Sequence, residues 1–176
     1  FSYHYLNYLS PANKKLYYDN GVMIPIDLAL KDPSLQGDDS RIIMDRAVKF
    51  IREMAAGKKP FYIYFCFHAV HTKLVTVEKY HKQFYSEMDT KEATYYSNIS
   101  AIDAQMGRLR DLLKELDIAD NTMLWFSSDN GPQFGGSGDD CLDRFNCQLH
   151  GSKGSTYEGG IRVPAIVRWP AGLQQN

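Results

Sequence analysis

Between Asp38 and Gly57 the apolar residues Ile43, Ala47, Phe50, Ile51 and Met54 recur at helical spacing, which predicts a helix over about 40–55. Asp38, Asp39 and Ser40 supply cap oxygens and favourable charge at its start, and Gly57 fits its stop. A longer helix is predicted from Asp89 to about Leu116. Asp89-Thr90-Lys91-Glu92 has the form of a capping box, and Ile99, Ile102, Met106, Leu109, Leu113 and Leu116 fall along one face. Gly107 interrupts that helix at a cost of about 1 kcal/mol relative to Ala, which predicts another backbone packed close against it. Between the helices, Pro60 opens the run Phe61 to Phe67. It is continuously apolar and aromatic rather than alternating, the pattern of a strand covered on both faces, with Cys66 as a buried small hydrophobe. Further strands are predicted at 122–127 and around 161–169. Lys15 to Tyr18 and Val22 to Ile24 flank Asp19-Asn20-Gly21, a hairpin signal because Asn and Gly tolerate positive φ. The opening stretch, Phe1 to Leu16, is aromatic without a clean period; it reads either as strand or domain-edge packing or as an aromatic platform for a sugar.

Helix, buried strand, long helix and buried strand in that order predict an α/β domain, a mostly parallel sheet flanked by helices. Ligands collect beyond the carboxyl ends of the strands in such sheets. His71 follows one such end and Asp129-Asn130 follows another, so the architecture predicts that they meet. The chain is taken as one partial domain, 1–176, and its aromatic start without Met reads as a piece of a longer protein. A composition of 44% hydrophobic and 23% charged residues is ordinary for a globular protein. The net charge of −1 gives no general attraction to nucleic acid or anionic membrane, so an anion must be held by local groups. No apolar run approaches a membrane span. The cysteines, Cys66, Cys141 and Cys147, do not have zinc spacing; Cys141 and Cys147 flank a short loop and either form a disulfide or stay reduced. Asn98-Ile99-Ser100 matches a glycosylation sequon inside the long helical pattern.

Four residues have a chemistry that packing does not require. Asp129 and Asn130 offer a carboxylate and an amide oxygen, hard donors suited to Ca²⁺ or Mg²⁺, although Asp-Asn-Gly is also good turn chemistry on its own. Lys153, between Gly151 and Gly154, can hold a sulfate or phosphate oxygen as a point charge or simply be solvated. The nucleotide-binding P-loop is excluded, because its Lys directly follows a Gly. His71 can donate to an anionic oxygen or protonate a leaving group, or make a structural hydrogen bond at a strand end. His68 is the weaker candidate there.

Taken together and in order, three segments resemble the sulfatase family, of the alkaline-phosphatase-like fold. They are Pro60-Phe61-Tyr62 leading to Val70-His71-Thr72-Lys73, Gly107-Arg108-Leu109 followed by a strand and Ser128-Asp129-Asn130-Gly131, and Gly151 to Pro164 with Glu158-Gly159-Gly160-Ile161-Arg162-Val163-Pro164. The resemblance covers the last four-fifths of the chain and is nearest the arylsulfatase-like members. It implies hydrolysis of a sulfate monoester to an alcohol or phenol plus sulfate, with hydrated formylglycine as nucleophile and a bound Ca²⁺, or Mg²⁺, polarising the sulfate oxygens. Carried onto this sequence, Asp129 and Asn130 match metal ligands. Lys153 matches the sulfate-binding lysine, and His71 the histidine that contacts sulfate and leaving-group oxygen. Glu158 and Arg162 match the signature in a supporting role. Sulfatases mostly act in the periplasm, outside the cell or in lysosomes, so the resemblance also implies an extracytoplasmic compartment.

The departures are informative. Formylglycine is made from a Cys followed two residues later by Pro, and none of the three cysteines has that context. The paired aspartates that would complete the metal shell are missing too. Lys73 stands where a Pro is usual, and His150 where an Arg is common. The expectation is therefore the later part of a sulfatase catalytic domain, with formylglycine in an N-terminal portion. Two rivals remain: a sulfatase-like binding protein without catalysis, and a phosphoesterase of the same superfold with two zinc ions. The second would place a His right after the Asp, where Asn130 stands.

Overall fold

The structure, a computed structural model, describes residues 2–3, 17–19, 21–29, 31–71, 74–133 and 146–173. Most of the aromatic opening stretch lies outside them, as do Cys141, Thr72 and Lys73. The chain divides into two compact units, 1–112 and 113–176.

In the first unit, β1 (Ser2–Tyr3), β2 (Tyr17–Asp19) and β3 (Val22–Met23) form an antiparallel sheet in that order. The two strands expected to form a hairpin do pair: Tyr18 lies opposite Met23, and Gly21 takes φ 82°, where a side chain would be strained, while Asn20 lies outside the described residues. After α1 (Ile26–Ala29) and a 3-10 turn (Pro33–Leu35), α2 runs Asp39–Ala56. Asp38 caps it, its Oδ1 accepting from the Ser40 amide at 3.0 Å. The chain leaves the helix at Gly57, but Lys58 takes the left-handed turn at φ 50°. The buried face of α2 is Ile42, Met44, Ala47 and Ile51. Ile42 joins Tyr17, Ala29 and Leu35 in one core cluster. Of the residues expected on that face, Ala47 and Ile51 are buried, whereas Phe50 lies near the surface, edge-on to Phe61 at 6.2 Å.

Residues 61–67 depart from expectation. They form no described ladder, and their burial alternates: Phe61, Ile63, Phe65 and Phe67 are half-buried, while Tyr62, Tyr64 and Cys66 are exposed. Tyr62 is 84% and Tyr64 77% accessible, so only one face of this extended segment is covered. Cys66 points to the open face and is not the buried hydrophobe expected.

Next come α3 (Glu78–Phe84) and α4 (Thr90–Glu115). Asp89 accepts from the Lys91 amide at 2.9 Å, as the capping pattern predicts. Over its first four turns α4 buries Ala93, Ser97, Asn98, Ala101 and Gln105, and Ile99 is exposed. Small and polar residues are inside because the backbone at 75–77 lies close: Ser97 Oγ accepts from the Val77 amide at 3.1 Å, and Asn98 Nδ2 donates to the Val75 carbonyl at 2.9 Å. Asn98 Nδ2, the atom a glycan would use, also donates to the Thr94 carbonyl, so the sequon is closed in this fold. Gly107 is exposed, and among the described residues nothing lies within 4 Å of where its Cβ would be, so no close backbone among them explains it. Its neighbours carry the packing instead. Leu109 is buried, and Arg108 reaches Asp45 on α2, which also pairs with Arg41.

The second unit holds the end of α4, β4 (Leu124–Ser127), α5 (Glu158–Ile161) and β5 (Ala165–Arg168). β4 and β5 pair antiparallel, Leu124 opposite Arg168 and Ser127 opposite Ala165. Both described sheets are thus antiparallel, and a parallel ladder is not among them. A parallel sheet needs strands side by side with crossovers between them, and 61–67, the segment expected to be a strand covered on both faces, has no strand beside it among the described residues.

Candidate active site

β4 ends at Ser127, and the next four residues turn the chain. Ser128 Oγ donates to the Asn130 carbonyl at 2.9 Å, and Asn130 Nδ2 donates to the Gly131 carbonyl at 2.8 Å. That second bond orients the side-chain amide and leaves Asn130 Oδ1 as an acceptor; Asp129, the preceding residue, is exposed. The turn is stitched to the glycine-rich loop downstream. Gly131 donates its amide to the Gly160 carbonyl at 2.8 Å, and Lys153 donates its amide to the Pro132 carbonyl at 2.9 Å.

Glycine is needed where these segments cross. A Cβ at Gly131 would overlap the Gly159 carbonyl, one at Gly159 the Gly151 carbonyl, and one at Gly160 the Ser155 carbonyl. The Glu158-Gly159-Gly160 run is therefore the seat of a backbone crossing, with Gly159 donating to the His150 carbonyl at 2.8 Å. Gly151 and Gly154 take φ 83° and 88° on either side of Lys153, whose side chain is exposed. Ser155 Oγ closes the loop, donating to the Ser152 carbonyl at 2.9 Å and accepting from its amide at 3.1 Å. His150 packs edge-on to Tyr157 with ring centroids 4.3 Å apart. Glu158 and Arg162 form an exposed i,i+4 pair at 3.7 Å, worth a few tenths of a kcal/mol.

The sequence-predicted residues thus fall as follows. Asp129, Asn130 and Lys153 stand in the second unit, on two segments joined by backbone hydrogen bonds. His71 stands in the first unit, exposed, with its amide donating to the His68 carbonyl at 2.6 Å. Asp129 and Asn130 are the right donors for a hard cation, but they do not fill its shell, and no group of three or more His, Cys, Asp or Glu that could hold a metal occurs among the described residues. Cys147 is a free, exposed thiol.

One feature of the His71 segment has no signal in the sequence. His68 Nδ1 lies 2.9 Å from Oδ2 of Asp39, a carboxylate that is 1% exposed in the first turn of α2. Asp39 reads in the sequence as helix-start charge, yet it anchors the turn that carries His71. Beside it, burial pushes the Asp38 carboxyl above its ordinary value, against the Ser40 amide bond and helped by the Asp39 charge.

The chain belongs to the sulfatase family: the family model described as Sulfatase matches residues 2–176. An N-acetylgalactosamine-6-sulfatase of Canis lupus familiaris is 30% identical over 161 residues, 88% of this chain and 27% of that protein. An N-acetylgalactosamine-6-O-sulfatase of Bacteroides thetaiotaomicron is 34% identical over 145 residues, 79% of this chain and 27% of that protein. The chain thus spans about a quarter of the length of these relatives. Among solved structures, Ps i-CgsB in complex with k-i-k-neocarrahexaose superposes with a TM-score of 0.69 at 30% identity, covering 86% of this chain and 30% of that one. The fold is accordingly that of part of a sulfatase domain, α/β and alkaline-phosphatase-like. No described helix is long and apolar enough to cross a membrane.

Proposed function

We propose that this chain supplies part of the metal and sulfate site of an enzyme that hydrolyses a sulfate monoester to an alcohol or phenol and sulfate. The observation that carries this reading is the joining of the Asp129-Asn130 turn to the Lys153 loop through the Lys153–Pro132 and Gly131–Gly160 backbone bonds. It holds an ammonium and two hard oxygen donors on one frame. The Asp129 carboxylate and Asn130 Oδ1 would hold a Ca²⁺ (or Mg²⁺), with further ligands from elsewhere. The cation would polarise the sulfate oxygens when bound. Lys153 faces the charge that builds on those oxygens in the transition state, where a fixed cation is worth more than in the ground state. His71 is assigned to the leaving-group oxygen, as donor of the proton it needs. The nucleophile, formylglycine, has no precursor cysteine in this chain and would be supplied from outside it. The names of the similar proteins favour a saccharide sulfate as substrate, and an extracytoplasmic compartment suits such a substrate.

The test is substitution at Lys153 in a polypeptide that also carries the formylglycine cysteine. Lys153→Ala is expected to lower kcat/KM for 4-methylumbelliferyl sulfate about 100-fold. Lys82→Ala, at an exposed lysine of α3, is expected to leave it unchanged. Equal activity in the two variants removes Lys153 from the site.

A further inference from the structure

We propose that Asn146 is the positioning residue of Lys153, fixing the loop from which the ammonium projects. The inference rests on the reading of Lys153 as a sulfate-binding group. Asn146 Nδ2 donates to two carbonyls of that loop, Leu149 at 2.8 Å and Gly151 at 3.1 Å. Its own carbonyl accepts from the Leu149 amide at 3.2 Å, closing a four-residue turn. Both central residues of that turn, Cys147 and Gln148, are non-glycine and left-handed, at φ 57° and 59°. Two successive L-residues adopt that region only where surrounding contacts impose it, and such positions cluster beside functional groups. Among the described residues, the two side-chain bonds of Asn146 and its backbone bond to Leu149 are the contacts that impose it here.

The consequence reaches Lys153 through the chain. The Gly151 carbonyl that Asn146 holds is the group lying where a Cβ of Gly159 would be, so its place sets the backbone crossing. Two residues later the Lys153 amide meets the Pro132 carbonyl, next to the Asp129-Asn130 turn. Ser155 fastens the far side of the loop and Asn146 the near side. Without the Asn146 donors, the Leu149 and Gly151 carbonyls turn to water, and the segment leading into Lys153 keeps its backbone bonds but loses the side-chain clamp that spans Leu149 to Gly151.

The experiment follows inorganic sulfate by NMR, at the Lys153 side chain and at the backbone amides of 152–155, in the isotope-labelled polypeptide that also carries the formylglycine cysteine, as wild type, Asn146→Leu, Asn146→Asp and Lys153→Ala, with amide exchange measured in each. Both Asn146 variants are expected to weaken the sulfate response about tenfold and to speed exchange of the Lys153 amide by a similar factor. The β4–β5 amides are expected to keep their protection. An unchanged sulfate response in the two Asn146 variants overturns the inference, even if exchange accelerates, because Asn146 would then serve the turn and not the lysine. A wild-type chain whose Lys153 does not respond, or a Lys153→Ala variant that binds sulfate as well as wild type, overturns the sulfate reading itself, and the inference with it. If either Asn146 variant loses β4–β5 protection, the same replacement in a Cys147→Gly, Gln148→Gly background, where the turn is unstrained, gives the deciding measurement.

Discussion

Asp39 is a carboxylate whose burial carries an energetic consequence. It is buried, and His68 is its side-chain partner at 2.9 Å. Asp39→Ala removes its bond to the His68 ring and opens a gap beside it. A loss of about 2 kcal/mol is expected, read as a lower urea midpoint at unchanged slope. Asp38 next to it behaves differently. Its carboxyl titrates above its ordinary 3.8 because of burial, so the folded chain binds that proton more tightly than the unfolded chain does. The Asp38 contribution to stability is therefore greatest below 3.8 and diminishes as pH rises through the raised value. Asp38→Asn keeps a cap oxygen and removes the titration. Its urea midpoint, subtracted from wild type at steps between about pH 3 and 6, is expected to cancel a stability term that falls with rising pH; a difference that does not vary with pH refutes the assignment.

At the scale of elements, α4 separates what the sequence made legible from what it did not. Its existence and its Asp89 cap followed from spacing and cap chemistry, as did α2, the β2–β3 pairing and β4. The inward face of α4 followed towards its carboxyl end, where Leu109 and Leu113 are buried, but not over its first turns, because periodicity weights large residues. Ala93, Ser97, Asn98 and Ala101 are inside because a neighbouring backbone needs the room and the donors. Residues 61–67 were misread for a related reason: continuous apolar character reports covering on both faces only when a second layer is there. For the candidate site, Asp129, Asn130, Lys153 and His71 were legible by residue type and motif. Asp39 and Asn146 were not, since one reads as helix-start charge and the other as a loop residue. Gly107 was assigned a packing role, and its open surroundings reverse the expectation. Gly107→Ala should stabilise the chain by about 1 kcal/mol, seen as a higher melting temperature; destabilisation would mean that an unseen neighbour occupies the space.

For the molecule as a whole, the chain holds oxygen donors, a lysine and a histidine of the family pattern, but no cysteine in formylglycine context. The chain purified by itself is expected not to turn over 4-nitrophenyl sulfate, and measurable hydrolysis above the uncatalysed rate refutes this. The glycine crossing has a separate consequence for how such a protein can change. Where three strings of backbone touch without side chains between them, the scaffold is indifferent to what decorates the intervening bends. The exposed Thr156 is therefore free to be exchanged for residues of other shape and charge without moving the backbone that carries Lys153. A single methyl at Gly131, Gly159 or Gly160, by contrast, would push the whole loop off its seat.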